Sequence, residues 1–201
     1  MIRVALVDDQ ALMRAGFRAL LEAEDGIEVA ADVGRGDEAV ERALALRPDV
    51  AVLDIDMPGL DGLAAAERLS RELPACRLVI VTAHGRPGNL RRAMAAGVRG
   101  FLGKDTPGSR LAEVIRQVHD GARYIDPQLA ADALAAEECP LTPRELDTLR
   151  AAADGAPVSR IARTLGLSEG TVRNYLSAAV TKLGADNRHT AARTAKDRGW
   201  L

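Results

Sequence analysis

A chain of 201 residues with 27 Lys/Arg, 29 Asp/Glu and a net charge of −2 has room for one large or two small domains, each with a sizeable core. Cys76 and Cys139 are far apart and His84, His119 and His189 are scattered, which leaves a disulfide framework, a zinc site and histidine-based catalysis without support. No apolar run reaches the roughly 20 residues that span a bilayer, and MIRVALVDD runs straight into a strand with no room for a signal peptide, so a cytoplasmic protein without a membrane partner is expected.

In chain order, short apolar runs predict strands at 2–7, 27–32, 50–54, 77–82 and 99–102. Between them, helical periodicity predicts helices at 11–23, 37–46, 61–72, 89–96 and 107–120, with Asp61 and Asn89 as caps, Pro48 stopping one helix and Gly97 following another. Regular βα alternation implies a parallel sheet with right-handed crossovers and helices on both faces. Residues 122–139, alanine-rich and acidic, read as a linker with some helix around Pro127–Ala136.

Asp8, Asp9, Asp54, Thr82 and Lys104 each fall at or just past the end of one of these runs. In a parallel sheet they converge at one edge, and open α/β sheets bind ligands outside the carboxyl ends of their strands. Crowded carboxylates repel unless a proton or cation intervenes. Mg²⁺ suits such an oxygen-rich site, a carboxylate can carry a covalent phosphoryl group, and lysine and threonine can hold phosphate oxygens. The set reads as a metal-assisted aspartyl-phosphate site. A plainer alternative makes Asp8 and Asp9 caps of the helix that follows.

The segments VALVDDQ, VLDIDMPGLDG, VIVTAH and FLGKD resemble the receiver domain of two-component response regulators over about residues 1–121. The resemblance implies Asp54 as phosphoacceptor, Asp9 as a direct Mg²⁺ ligand, Asp8 as a ligand through water, and the Asp56 backbone carbonyl as the remaining protein ligand. It implies that Thr82 and Lys104 bind the phosphoryl group and that Phe101 changes rotamer on activation. Many receivers carry proline after this lysine, with a cis bond; here Asp105 follows.

Charge is uneven: residues 1–124 hold 17 basic and 19 acidic residues, residues 125–140 no base and four acids, and residues 141–201 10 basic and 6 acidic residues, a net +4. After Pro140 the pattern is helical throughout. Thr142 before Pro143 starts a helix at 143–153 with Leu146, Leu149 and Ala153 on one face. Helices follow at 158–165, ending at Gly166, at 169–183, capped by Ser168 and closed by Gly184, and at about 188–198. Val172, Leu176, Ala179, Val180 and Leu183 form the inward stripe of the third. Two short helices across a glycine turn outline a helix-turn-helix, and spacing alone fits generic three-helix packing equally well.

LTPRELDTL, GAPVSRIARTLGLSEGTVRNYLSAAVTKLGA and NRHTAAR resemble the four-helix output domain of LuxR/NarL-type regulators across 141–201. The resemblance places Glu169–Leu183 in DNA, with Arg173, Asn174 and Ser177 at base edges and Thr171 and Lys182 at phosphates. Arg suits guanine and Asn suits adenine.

The resulting expectation is a NarL/FixJ-type response regulator. A flavodoxin-like, doubly wound, five-stranded parallel receiver at 1–121 is followed by a linker at 122–139 and an all-α helix-turn-helix domain at 140–201. A sensor histidine kinase would phosphorylate Asp54 with Mg²⁺ as cofactor. A homodimer would then bind double-stranded promoter DNA, and the protein would not be a metabolic enzyme. Two alternatives stand beside it. One is a haloacid dehalogenase-type phosphatase, suggested by Asp54-Ile55-Asp56; the other is a phosphorylation-independent DNA-binding scaffold with a receiver used for dimerisation.

Overall fold

The computed structural model describes residues 1–83, 85–135 and 139–201. His84, Ala136, Glu137 and Glu138, which figure in the sequence expectations, lie outside the described residues. Two compact units are present, the first built from Met1–Gly85 and Asn89–Ala133, the second carrying Leu134–Leu201.

The first unit alternates strands β1 (Ile2–Val7), β2 (Ile27–Val33), β3 (Val50–Leu53), β4 (Arg77–Thr82) and β5 (Gly100–Gly103) with helices α1 (Ala11–Glu22), α2 (Gly36–Leu46), α3 (Gly62–Glu72), α4 (Pro87–Ala95) and α5 (Gly108–His119). Tyr124–Ile125 then adds β6. Every pairing is parallel, in the order β2-β1-β3-β4-β5-β6. Among the described residues the sheet therefore has six strands, not the expected five, and β6 falls in residues read as linker. Two residues are too short to carry an alternating pattern, and only pairing with Gly100 and Phe101 makes them a strand.

Strand alternation sorts the core into two layers. Val4, Leu6, Val50, Val52, Val79, Val81 and Leu102 face α1 and α5, where Phe17, Leu21, Leu111 and Ile115 close over them. Ala5, Val7, Ala51, Leu53, Leu78, Ile80 and Phe101 face the opposite way, against Val40 of α2, Leu63 and Leu69 of α3 and Ala93 of α4. Strands buried on both faces must be apolar throughout, which is why they read as continuous runs. Truncating a side chain such as Leu53, fully buried between layers, costs about 2–5 kcal/mol.

Local chemistry sets the boundaries. Asp61 caps α3, its Oδ1 accepting the Ala64 N–H at 2.7 Å. Asn89 is no cap: α4 begins at Pro87, whose fixed φ suits a first helical turn. Helix α2 ends at Leu46, where Arg47 takes a left-handed conformation at φ 47° just before Pro48. All peptide bonds among the described residues are trans, including that between Lys104 and Asp105.

Helix α6 (Pro127–Ala135) follows β6, and the second unit adds α7 (Pro143–Ala152), α8 (Val158–Leu165), α9 (Glu169–Lys182) and α10 (Arg188–Asp197). A capping box starts α7: Glu145 N–H donates to Thr142 Oγ1 at 3.4 Å, and Thr142 N–H donates to Glu145 Oε2 at 2.7 Å. Of the expected Leu146, Leu149 and Ala153, Leu149 is buried and Leu146 packs against the core, while Ala153 is exposed; Glu145, Thr148 and Ala152 complete the buried face of α7. Gly166, at φ 64°, ends α8 and makes the turn into α9. Val172, Leu176 and Ala179 of α9 are buried with Leu149, Ile161 and Ala191, and Val180 and Leu183 pack at their margin.

Candidate functional site: a carboxylate and lysine cluster, and an exposed helix face

Strand order reverses between β1 and β3, so a crevice opens where their carboxyl ends diverge, the usual ligand position in a doubly wound sheet. Asp8 directly follows β1 and Asp54 directly follows β3. The Asp54 N–H donates to the Val7 carbonyl at 2.8 Å, holding the two strand ends level.

Carboxylate oxygens of Asp8, Asp9 and Asp54 all lie within 4.8 Å of one another. Asp8 and Asp54 are buried and Asp9 is exposed. Lys104, just past β5, reaches across: its Nζ is 2.7 Å from Asp8 Oδ2 and 2.8 Å from Asp54 Oδ2. The remaining oxygens are partly used, Asp8 Oδ1 accepting the Gln10 N–H at 2.8 Å and Asp54 Oδ1 the Ile55 N–H at 2.7 Å. Residue Gln10, not an aspartate, stands at the N-cap of α1 and makes no side-chain cap there, so the capping alternative for Asp8 and Asp9 is set aside.

Burial raises the Asp54 carboxyl above its ordinary value, opposed by the Lys104 ammonium and reinforced by the Asp8 charge. Burial pulls the Lys104 ammonium down, and the Asp54 and Asp8 carboxylates more than offset it, leaving a net rise. Lysine is thus held as a cation beside a carboxylate that is costly to ionise. Three acids around one ammonium are a donor set that a hard divalent cation fits.

The backbone carbonyl of Thr82, the last residue of β4, accepts the Lys104 N–H at 2.9 Å, and Thr82 itself is 1 % exposed. Phe101 is wholly buried in the layer facing α3 and α4. Asp56 is exposed, and its carboxylate is not one of the three in the cluster. An Asp-x-Asp pair whose second acid is exposed and outside the carboxylate cluster does not support the phosphatase alternative.

Two contributors had escaped the sequence reading. Arg14 on α1 donates to the Asp8 carbonyl and lies 2.6 Å from Asp32, bracing the loop after β1. Gly62 opens α3 so close to β3 that a Cβ there would overlap the Asp54 carbonyl oxygen. The sequence offered no local signal for Arg14, whose partner is 18 residues away; a glycine at the first position after the Asp61 cap was visible for Gly62.

In the second unit, Arg173, Asn174 and Ser177 are exposed on α9. Asn174, Ser177, Ala178, Thr181 and Lys182 line one shallow open groove, at spacing that places them on a single helix face. Thr181, absent from the expected set, belongs to it. Three of the expected residues are already engaged within the second unit. Arg173 Nη2 is 2.7 Å from Glu169 Oε2, one turn earlier. Thr171 shares a 2.8 Å hydroxyl hydrogen bond with the capping Ser168. Lys182 Nζ lies 2.8 Å from Oε2 of the buried Glu145.

Residues 4–116 match the response regulator receiver domain family, and residues 139–195 match the luxR family of bacterial regulatory proteins. Over 201 residues, the whole of both chains, the sequence is 41% identical to the transcriptional regulatory protein DesR of Bacillus subtilis. It is 40% identical over 200 residues to the response regulator RamR of Streptomyces coelicolor, covering 100% of this chain and 98% of that one. The crystal structure of the response regulator ChrA, of a heme-sensing two-component system, superposes with a TM-score of 0.59 at 31% identity, covering 100% of this chain and 98% of the other. Among the described residues no helix is long and apolar enough to cross a membrane. With a receiver fold in its first unit and a helix-turn-helix in its second, the chain belongs to the LuxR/NarL-type response regulators, a family of DNA-binding transcriptional regulators.

Proposed function

We propose that the protein accepts a phosphoryl group on Asp54 from a sensor histidine kinase and, so modified, binds promoter DNA as a homodimer in the cytoplasm. The observation that carries this reading is the placement of Asp54, at the end of β3 with Lys104 Nζ at 2.8 Å and two further carboxylates within 4.8 Å. Residues 1–121 would carry the phosphoacceptor function and 140–201 the DNA-binding function, with 122–139 between them.

Asp54 Oδ2 attacks phosphorus; the P–N bond of the donor phosphohistidine breaks and a P–O bond forms, returning an electron pair to the imidazole. The fold holds this carboxylate with one oxygen on the Ile55 N–H and the other toward Lys104. Lys104 offsets charge on the transferring group, and the Thr82 hydroxyl, at the neighbouring strand end, binds one of its oxygens. Asp8, Asp9 and Asp54, with the Asp56 backbone carbonyl, would hold Mg²⁺, which supplies positive charge to the phosphoryl oxygens. Phe101 couples the modified site to the receiver surface by changing rotamer. Arg173, Asn174 and Ser177 read base edges, and Thr171 and Lys182 approach phosphates. The transferred group is a signal carried on the protein rather than a product released to metabolism, so the protein acts as a regulator and not as a metabolic enzyme.

Incubation with acetyl phosphate and Mg²⁺ tests this directly. Intact mass should rise by one phosphoryl group, and Asp54→Ala should abolish the gain. Labelling that survives Asp54→Ala and vanishes in Asp8→Ala reassigns the nucleophile.

A further inference from the structure

At the opposite end of the sheet from Asp54, three arginines stand at the starts of neighbouring strands. Several other arginines of the first unit pair with carboxylates, among them Arg14 with Asp32 at 2.6 Å, Arg68 with Glu72 at 2.8 Å and Arg116 with Glu24 at 2.9 Å. Arg77 begins β4, Arg99 immediately precedes β5 and Arg123 immediately precedes β6, three neighbouring strands. Pairing of Val79 with Gly100 and of Gly100 with Tyr124 brings Leu78, Arg99 and Arg123 into lateral register on one face, with Arg77 one residue earlier and so on the other. Among the described residues none of the three has an ion pair, and their one side-chain hydrogen bond is a 3.4 Å contact from Arg99 to the Gly121 carbonyl.

These arginines line a cavity of about 240 Å³ together with Ser70, Cys76 and Gly97. The Ser70 hydroxyl has no hydrogen-bond partner among the described residues. Gly97 keeps it uncovered: its φ of +84° favours glycine, and a Cβ there would sit 2.9 Å from Ser70 Oγ. Negative charge from the protein is scarce at this spot. The Cys76 thiol is pushed up to about 12, by burial first and by Asp49 second, and so stays neutral. Asp49 itself accepts the Arg3 N–H at 2.8 Å. Arg99 and Arg123, on one face of the sheet, and the Ser70 hydroxyl offer hydrogen-bond donors to this concavity. Like charges so placed repel until an anion bridges them, and arginine forks match phosphate oxygens bidentately. The volume lies below the roughly 300 Å³ at which pockets begin to hold drug-sized ligands, which points to a small oxyanion.

We propose that this cavity is a second anion site, binding a small multiply charged phosphate, either free diphosphate or the phosphate of a small phosphomonoester. It is independent of the phosphoacceptor reading. The test is calorimetric titration of the full-length protein, without Mg²⁺ and with EDTA, using inorganic diphosphate in one arm and glycerol 3-phosphate in the other. Saturable one-to-one binding is expected, unchanged in Asp54→Asn. Loss of one charge-assisted contact corresponds to about tenfold or more in affinity, expected for Arg99→Gln and for Arg123→Gln. Arg123 is exposed, so its replacement leaves the core intact and keeps the test independent of folding. Tighter binding of diphosphate identifies the free ion as ligand; tighter binding of glycerol 3-phosphate identifies the ester. Absence of saturation by about 10 mM in both arms, a regime weaker than any useful affinity, overturns the proposal. So does binding that both glutamine variants leave unchanged, or that Asp54→Asn removes.

Discussion

Lys182, the last residue of α9, is bound to Glu145 in the first turn of α7, Nζ to Oε2 at 2.8 Å, and the same oxygen accepts the Thr142 N–H that closes the α7 capping box. One carboxylate therefore ties the start of one helix to the end of another. A lysine expected to meet phosphate has an internal partner, and the two roles are separable. Lys182→Ala leaves a buried carboxylate with one donor fewer and should cost about 1–2 kcal/mol, read as a lower melting point for the second unit in urea or thermal unfolding. If Lys182 also reaches DNA phosphate, the variant should flatten the salt dependence of binding by about one counterion. An unchanged slope with lower stability makes the residue structural alone.

The same pair sets an acid response. Burial raises the Glu145 carboxyl, but the Lys182 ammonium and the Thr142 donors outweigh it and hold it below its ordinary 4.5. A carboxylate depressed in the fold contributes stability above its unfolded value and loses it as pH falls through its folded value. The second unit should therefore weaken below about pH 4.5, in the window between those two values. Glu145→Gln should be less stable than the parent at pH 7, with the gap closing on acidification. A gap that widens toward low pH contradicts the assignment.

Asp54 behaves in the opposite sense. Because burial foremost raises its carboxyl, the ionised form is disfavoured in the fold, and its charge costs stability above its unfolded value. Asp54→Asn should melt higher than the parent at pH 7, since Lys104 keeps Asp8 at 2.7 Å, and the advantage should shrink as pH falls through the raised Asp54 value. Adding Mg²⁺ should stabilise the parent, and Asp9→Ala should weaken that gain by removing one acid from the cluster. Thermal shift with and without EDTA checks both outcomes.

Base reading should depend on a residue that touches no base in the free protein. Arg173 is held by Glu169 at 2.7 Å, and both side chains are largely exposed. Arg173→Ala should cost about 1–3 kcal/mol and relax preference at one base pair. Asn174→Ala should do the same at a neighbouring pair. Glu169→Ala should strengthen binding to all sequences by removing a competing acid, while the preference at the Arg173 position is retained. Randomised-site selection on each variant separates these effects. Indifference of both affinity and preference to Arg173→Ala and Asn174→Ala reassigns α9.

Much of this was legible in the sequence because the sheet is buried on both faces. A strand with apolar neighbours on either side must be written as VALV or VAVL, and a polar residue at or just past its end marks the strand's end and the candidate site at once. Asp8, Asp54, Thr82 and Lys104 were found that way. What was missed depends on partners distant in sequence. Strand β6 exists only because β5 offers an unpaired edge. The inward face of α7 was only partly legible, because Glu145, charged in the sequence, is buried with a lysine partner 37 residues away. Arg14 was hidden for the same reason. Helix α4 starting at Pro87 instead of Asn89 is a smaller error, made by ranking a capping side chain above a proline.

The contact between Gly62 and the Asp54 carbonyl has a consequence for genetics. A methyl group at position 62 has nowhere to go but into the peptide that follows Asp54, so Gly62→Ala must displace either the start of α3 or Asp54 itself. Core packing resists the first shift, since Leu63 and Leu69 are fully buried. A collection of signalling-dead alleles should accordingly contain Gly62 beside the aspartates, although its side chain is a hydrogen atom that touches no phosphate. Such an allele would yield a folded protein with a slowed mass gain from acetyl phosphate, and allele frequency alone would rank a spacer among the reacting groups.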